Sequence, residues 1–175
     1  GRYQIKIVQL QKTPKGYTLL NFGTEPVFDR KRDYDPERLD EDKIIEAAER
    51  LLSRMKINPR RAKLVTTGLS NQQSSIRQMK MMNTDDEDEL ASALQFEARK
   101  HIPMDGTDAL MDFQILGEDP KEMDKLNVLL VASTQKNLEN HLKMIKNFGL
   151  RPGIVDTEAV AMANSYVIEH GLPED

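Results

Sequence analysis

The chain contains no cysteine. Disulfides, thiolate nucleophiles and thiolate metal ligands are therefore excluded, although the compartment is not decided by that absence. It has no run of about 18 apolar residues, the length a helix needs to cross a bilayer core. It has no signal-peptide pattern, and no phosphate loop of the GxxxxGK[ST] kind. A general basic field is missing too: 25 Lys and Arg are outnumbered by 29 Asp and Glu, for a formal net charge of -4. Nothing in that balance attracts a phosphate backbone. The local basic cluster NPRRAK, residues 58–63, lacks flanking aromatics on which bases would stack, so nucleic acid is not expected as a partner. Repeats and low-complexity tracts are also absent. These absences lead to the expectation of a soluble cytoplasmic chain that meets a membrane through its partners.

The 175 residues, 38% hydrophobic and 31% charged, suit one ordinary domain or two small packed units. YQIKIVQLQ (3–11) and YTLLNF (17–22) read as two strands of a hairpin turning at Lys15 and Gly16. Residues 23–42 read as a polar surface connection. Ile44, Ala48, Leu51, Leu52 and Met55 recur at helical spacing, which predicts a helix from Asp42 to Met55. KLVTTGL (63–69) and SSIRQMKMM (74–82) are predicted strands. Thr84 followed by Glu87 fits a capping box, with Asp85 and Asp86 at the positive end of a helix that Pro103 stops after His101. LMDFQIL (110–116) alternates as a strand, and the more apolar NVLLVAS (127–133) reads as central in a sheet. A helix follows over 135–149, burying Leu138, Leu142 and Ile145, with His141 expected at the exposed side and Gly149 as C-terminal cap. PGIVD (152–156) is a short strand. A final helix carries Val160, Asn164 and Val167 on one side.

The segment ASALQFEARKHIP, residues 91–103, invites a chemical reading, because Glu97 lies beside the stripe Leu90, Leu94, Ala98 and four residues before His101. One carboxylate and one imidazole do not make a four-ligand zinc site. No nucleophile lies beside Glu97, so a hydrated or paired structural carboxylate is the expectation. Asp105, Asp108 and Asp112 surround a glycine but lack an EF-hand pattern, and read as a polar turn before a strand. The methionines of MKMM (79–82) suit either an irregular core or an adaptable contact surface. No catalytic residue and no metal ligand are assigned.

Several segments resemble, in order, the PilM family of type IV pilus assembly proteins, actin-like ATPases related in fold to the division protein FtsA. They are GRYQIKIVQL (1–10), DYDPERLDEDKIIEAAERLLSRMKI (33–57), KLVTTGLSNQQSSIRQMKMM (63–82), LASALQFEARKHIPMDGTDALMDFQILG (90–117) and NVLLVASTQKNLENHLKMIKNFGLRPGIVDTEAVAMAN (127–164). FEARKHIP, with Asp112 and Gln114 after it, is the most specific of these. The resemblance implies an α/β fold: an incomplete actin-like (ribonuclease H-like) subdomain 1A over 1–60 and 150–175, with an inserted 1C-like α+β subdomain over 61–149. It implies that Phe96, Glu97, Ala98 and Pro103 are structural residues of the inserted unit. It also implies a cytoplasmic scaffold of the inner-membrane pilus platform and of twitching motility. Such a scaffold binds a PilN-like N-terminal tail near the cleft between 1A and 1C, at that cleft or a sheet edge, and reaches PilO through it, while an exposed sheet edge would permit self-association.

The departures concern nucleotide. The family's small hydroxyl residues of the first phosphate loop are replaced by Arg2, Tyr3 and Gln4, and the chain stops at Asp175, before the second loop. The expectation is no enzyme and no cofactor in this chain, with ATP and magnesium requiring a longer parent. Two rival readings are an FtsA-like division or polymer-forming adaptor and a degenerate actin-like nucleotide-binding protein.

Overall fold

A computed structural model of the protein describes residues 3–28, 35, 40–62, 64–84, 86–101 and 109–171. The side chains of Glu87, Ala98, Arg99, Lys100 and His101 are outside that description. The chain forms two units, one of Gly1–Thr67 with Leu142–Val155, the other of Gly68–His141 with Asp156–Asp175.

The first unit begins with β1 (Gln4–Thr13) and β2 (Gly16–Pro26), paired antiparallel with Ile7 opposite Gly23 and a bulge beside Gln9 and Leu10. Alternation turns Ile5 and Ile7 to one face, where they meet helix α1 (Glu41–Arg54). The Asp40 carboxylate caps α1 by accepting the Asp42 N–H at 3.1 Å. Ala47, Ala48, Leu51 and Leu52 are the buried face of α1. β2 runs past the predicted end at Phe22 as far as Pro26. Gly23 makes that extension fit: a Cβ there would stand 2.9 Å from Leu51 Cδ1 and 3.0 Å from Met55 Sδ, so α1 closes directly onto the strand backbone. Ile145 and Phe148, from the C-terminal part of helix α3 (Gln135–Asn147), join Ala48 and Leu52 in the same core. Gly149 ends α3 at φ 75°, as the predicted cap requires, and Leu150 N–H bonds back to Ile145 O at 3.3 Å. A 3-10 turn at Pro59–Arg61 follows α1. β3 (Val65–Leu69) and β7 (Pro152–Thr157) form a two-stranded sheet of their own.

The second unit is built on a three-stranded antiparallel sheet in the order β4 (Ser74–Met82), β6 (Lys125–Thr134), β5 (Ala109–Glu118). β6 is central, as its apolar composition predicts. Leu126, Val128, Leu130 and Ala132 are its buried face. Helix α2 (Glu87–His101) lays Leu90 and Leu94 over Met81, Leu126 and Val128.

Several expectations need correction. Asp86, not Thr84, caps α2: its carboxylate accepts the N–H groups of Asp88 at 2.9 Å and Glu89 at 3.2 Å. Thr84 Oγ1 instead accepts the Asp86 N–H and donates to Glu89. An acid two residues closer to the helix reaches its free N–H groups more directly. His141 is buried, not exposed, and burial pushes its imidazole below the ordinary value of 6.5, opposed in part by the Glu158 charge. Leu138 and Leu142 are half-buried, whereas Ile145 is buried. The final helix α4 (Glu158–His170), capped by Thr157, buries no residue; Val160 and Val167 are half-buried and Asn164 is exposed.

Leu94 is among the most fully enclosed side chains of the α2 core. Leu94→Ala is expected to cost about 2–5 kcal/mol of stability through lost burial and the cavity left behind. Urea unfolding followed by circular dichroism measures this, and a change under about 1 kcal/mol would contradict the packing described.

Candidate functional site

The peptide groups of β6 decide which edges of the second unit's sheet are available. Asp119 N–H bonds Lys125 O at 2.8 Å, and Asn83 N–H bonds Asp124 O at 2.8 Å. Peptide groups alternate in direction along a strand. Odd-numbered residues of β6 therefore face β5, and even-numbered residues face β4. On β4 the residues opposite even positions, Met81, Met79, Arg77 and Ser75, turn their backbone groups inward. Ile76, Gln78 and Lys80 turn theirs outward. The same argument turns Met111, Phe113 and Ile115 of β5 outward.

The two edges differ in what meets them. On β5 the Phe113 N–H is taken by the Asp112 carboxylate at 2.9 Å, and the Ile115 carbonyl accepts from the Gln114 amide at 3.2 Å. Side chains of β5 thus take up one outward N–H and one outward carbonyl of their own strand. On β4, among the described residues, no strand and no side chain bonds the outward backbone of Ile76, Gln78 or Lys80. That edge is a template of donors and acceptors at strand spacing. It suits an extended peptide, whose backbone pairs with it while alternate side chains lie over the two sheet faces.

An ionic cluster holds one end of β4. The Lys80 ammonium lies 2.8 Å from Glu122 Oε1 and 3.0 Å from Asp119 Oδ2. Asp119 is buried; its other oxygen accepts the N–H groups of Lys121 and Glu122, each at 3.0 Å, and Asn127 donates to Oδ2 at 3.3 Å. Glu122 also receives Lys125. The Lys80 ammonium, then the Lys121 N–H, hold Asp119 below its ordinary carboxylate value, while Lys125 and Lys80 do the same for Glu122. Lys80 is pushed up by Glu122 and Asp119. A second cluster lies in the first unit. Glu25 accepts Arg50 Nε at 3.0 Å and also pairs with Arg54, and these two guanidinium groups hold it low, Arg50 first.

Neither cluster is apparent in the linear sequence. Lys80 and Asp119 are 39 positions apart by their numbers, and Glu25 sits in a stretch that reads as a featureless polar connection. Of the residues the sequence singles out, Phe96 is exposed and Glu97 half-buried on α2. The Ala98 and His101 side chains, and Pro103, Asp105 and Asp108 entirely, lie outside the described residues. Asp112 lies on β5, doing the edge-covering just described. Among the described residues no three His, Asp or Glu side chains gather as a metal site requires. No described helix is long and apolar enough to cross a membrane.

A family model described as type IV pilus assembly protein PilM matches residues 1–175. The chain belongs to that family. A solved PilM-PilN type IV pilus biogenesis complex is similar at a TM-score of 0.75 and 20% identity, over 97% of this chain and 48% of that one. The cytoplasmic domain of EpsL, an inner membrane component of the type II secretion system of Vibrio cholerae, is similar at 0.53 and 13% identity, over 90% and 53%. At such identities the likeness is one of fold. This PilM-family chain has the mixed α/β architecture of an actin-like fold, and it spans about half the length of each solved structure it matches.

The ionic cluster makes a pH prediction. Asp119 and Glu122 have folded values below their ordinary 3.8 and 4.5. Their contribution is present above those values and is lost as pH falls through the lower folded ones, because the unfolded chain then binds more protons. Asp119→Asn should therefore flatten the acid limb of a plot of unfolding midpoint against pH, as pH falls through and below the ordinary carboxylate range. A variant whose acid limb matches the parent would remove the cluster's role.

Proposed function

We propose that this chain is a binding scaffold of type IV pilus assembly that receives the extended N-terminal tail of a PilN-type membrane partner along the open edge of β4. The observation that carries the reading is that edge, with Ile76, Gln78 and Lys80 presenting their backbone outward. The family match and the similarity to a PilM-PilN complex support the choice of partner and favour a pilus role over a division adaptor. Backbone pairing supplies affinity, and the side chains on either sheet face supply selection. The partner would hold the chain at the cytoplasmic face of the inner membrane and link it to PilO and to twitching motility. The likeness to an inner-membrane secretion component is in keeping with that location.

Gln78→Pro separates backbone pairing from folding. Its N–H faces away from β6, so proline removes no ladder bond of the sheet. Titration with a synthetic PilN-type tail is expected to saturate with the parent chain and to weaken by about tenfold or more with Gln78→Pro. Gln78→Ala should bind as the parent does. Equal binding by Gln78→Pro would place the tail elsewhere, and no saturable binding by either this chain or a longer one would remove the proposal.

In the same reading the chain acts without hydrolysing ATP. Phosphoryl transfer requires backbone and cationic groups aimed at the phosphates together with a positioned water. The sequence has no GxxxxGK[ST] loop, and Arg2, Tyr3 and Gln4 stand where small hydroxyl residues are expected. Phosphate release by the purified chain with ATP and magnesium should equal the protein-free rate. Reproducible turnover that scales with protein concentration would reject this.

A further inference from the structure

Two stretches of the chain contain no acid. No Asp or Glu lies between Glu49 and Asp85, a segment that holds eight Lys and Arg, and none lies between Glu139 and Asp156. In a chain of net charge -4 these stretches are cationic islands. The first unit folds parts of both together. Ile57 packs in one core with Phe148 and Leu150. A Cβ on Gly149 would stand 3.5 Å from Pro59 Cβ, so the 3-10 turn at Pro59–Arg61 lies against the end of α3. Lys56, Arg60 and Arg61 from one stretch and Lys146 and Arg151 from the other flank this junction, and all five are exposed. We propose that this cluster docks on anionic phospholipid headgroups, so that the chain touches a membrane directly.

These cations are not used within the fold. Arg50 and Arg54, earlier in the first stretch, pair with Glu25. Among the described residues none of the five has an ion-pair partner. At one margin Glu41 accepts from Asn147 at 3.2 Å, without pairing with Lys146. Lys146 sits in the last turn of α3, where a cation complements the helix dipole. Arg60, Arg61 and Arg151 lie beyond the helix ends and have no such role. An exposed charge, unlike an apolar face, needs no cover from other parts of a fold. Water already satisfies it, and burying it is costly unless each cation meets a carboxylate.

The choice of a membrane rests on the inner-membrane placement proposed above. A lipid surface offers many headgroup phosphates in one plane, which suits a spread of exposed cations better than a single phosphate does. Nucleic acid would draw on aromatic groups beside the cations for stacking, and Phe148, the aromatic residue of this junction, is buried. The net charge of -4 opposes contact with an anionic surface elsewhere on the chain, so the cluster also fixes which side faces the lipid.

The test uses the whole chain, and a longer PilM-family chain that contains it, with vesicles of phosphatidylcholine alone or with about one third phosphatidylglycerol. Co-sedimentation should show both chains binding the anionic vesicles and not the neutral ones, with binding weakening steeply between about 0.05 M and about 0.5 M salt. Arg60→Gln with Arg61→Gln should weaken binding about 25-fold, at about fivefold for each cation near the surface. Arg151→Gln, on a separate segment, should weaken it about fivefold, which keeps the proposal testable if the double variant misfolds. Arg60→Lys with Arg61→Lys should bind as the parent does, because a lipid surface reads charge and not the guanidinium fork. Lys12→Gln with Lys15→Gln removes the same charge from the hairpin and should change binding little. An equal loss in that control would assign the effect to net charge and overturn the proposal. So would absence of binding to anionic vesicles, or binding by the shorter chain alone, which would mean that the remainder of the longer chain covers the cluster. Displacement by inorganic phosphate beyond that by chloride at equal ionic strength would reassign the cluster to a discrete phosphate site. No PilN-type tail is present in these measurements, so their failure is distinct from failure of the tail titration.

Discussion

β6 is hydrogen-bonded on both sides, and the rest of the second unit depends on that constraint. Once Lys125 faces β5 and Asp124 faces β4, alternation leaves no freedom in where every later peptide group points. The even-numbered residues of β6 then share one buried face, where α2 covers Leu126 and Val128 with Leu90 and Leu94. The polar consequences follow from the same choice. β5 must carry its outward groups at Phe113 and Ile115, next to the side chains of Asp112 and Gln114 that cover them. β4 must carry its outward groups at Ile76, Gln78 and Lys80, where the neighbouring side chains do not fold back. One edge has two of its outward groups taken by its own side chains and the other has none among the described residues.

The ionic clusters act as fasteners at strand ends. A buried carboxylate is costly unless its oxygens are occupied, and Asp119 accepts two backbone N–H groups, an amide and an ammonium. It thereby ties the β5–β6 turn to β4 through Lys80. Glu25 fastens the end of β2 to α1 through Arg50 and Arg54, next to the place where Gly23 lets Leu51 and Met55 reach the strand. In each case a charge group sits where the sheet would otherwise fray. In both clusters the carboxylate is largely enclosed while its cationic partner stays partly exposed.

The hairpin has two apolar faces, one packed on α1 and one exposed in this chain. Ile5 and Ile7 are committed to α1, while Val8, Leu10 and Phe22, one position out of phase, are not. Both sets are apolar, so hydrophobic content does not separate buried from exposed positions. Phase relative to the neighbouring helix does. The same holds for α4, which is apolar in composition and buries no residue.

Periodicity and turn chemistry in the sequence by themselves determined where the strands and helices lie, that β6 is central, and that Gly149 ends α3. These are short-range consequences of side-chain spacing, φ preference and local hydrogen bonding. The family was also readable there, in FEARKHIP and the Asp112–Gln114 pair. What the sequence left undecided was every relation between distant positions. The Lys80–Asp119 and Glu25–Arg50 pairs, the burial of His141, the extension of β2 through Gly23 and the difference between the two sheet edges arise when strands choose neighbours. Pairing sets the direction of each peptide group and the face of each side chain, and a linear pattern contains neither until a partner strand or helix fixes the phase.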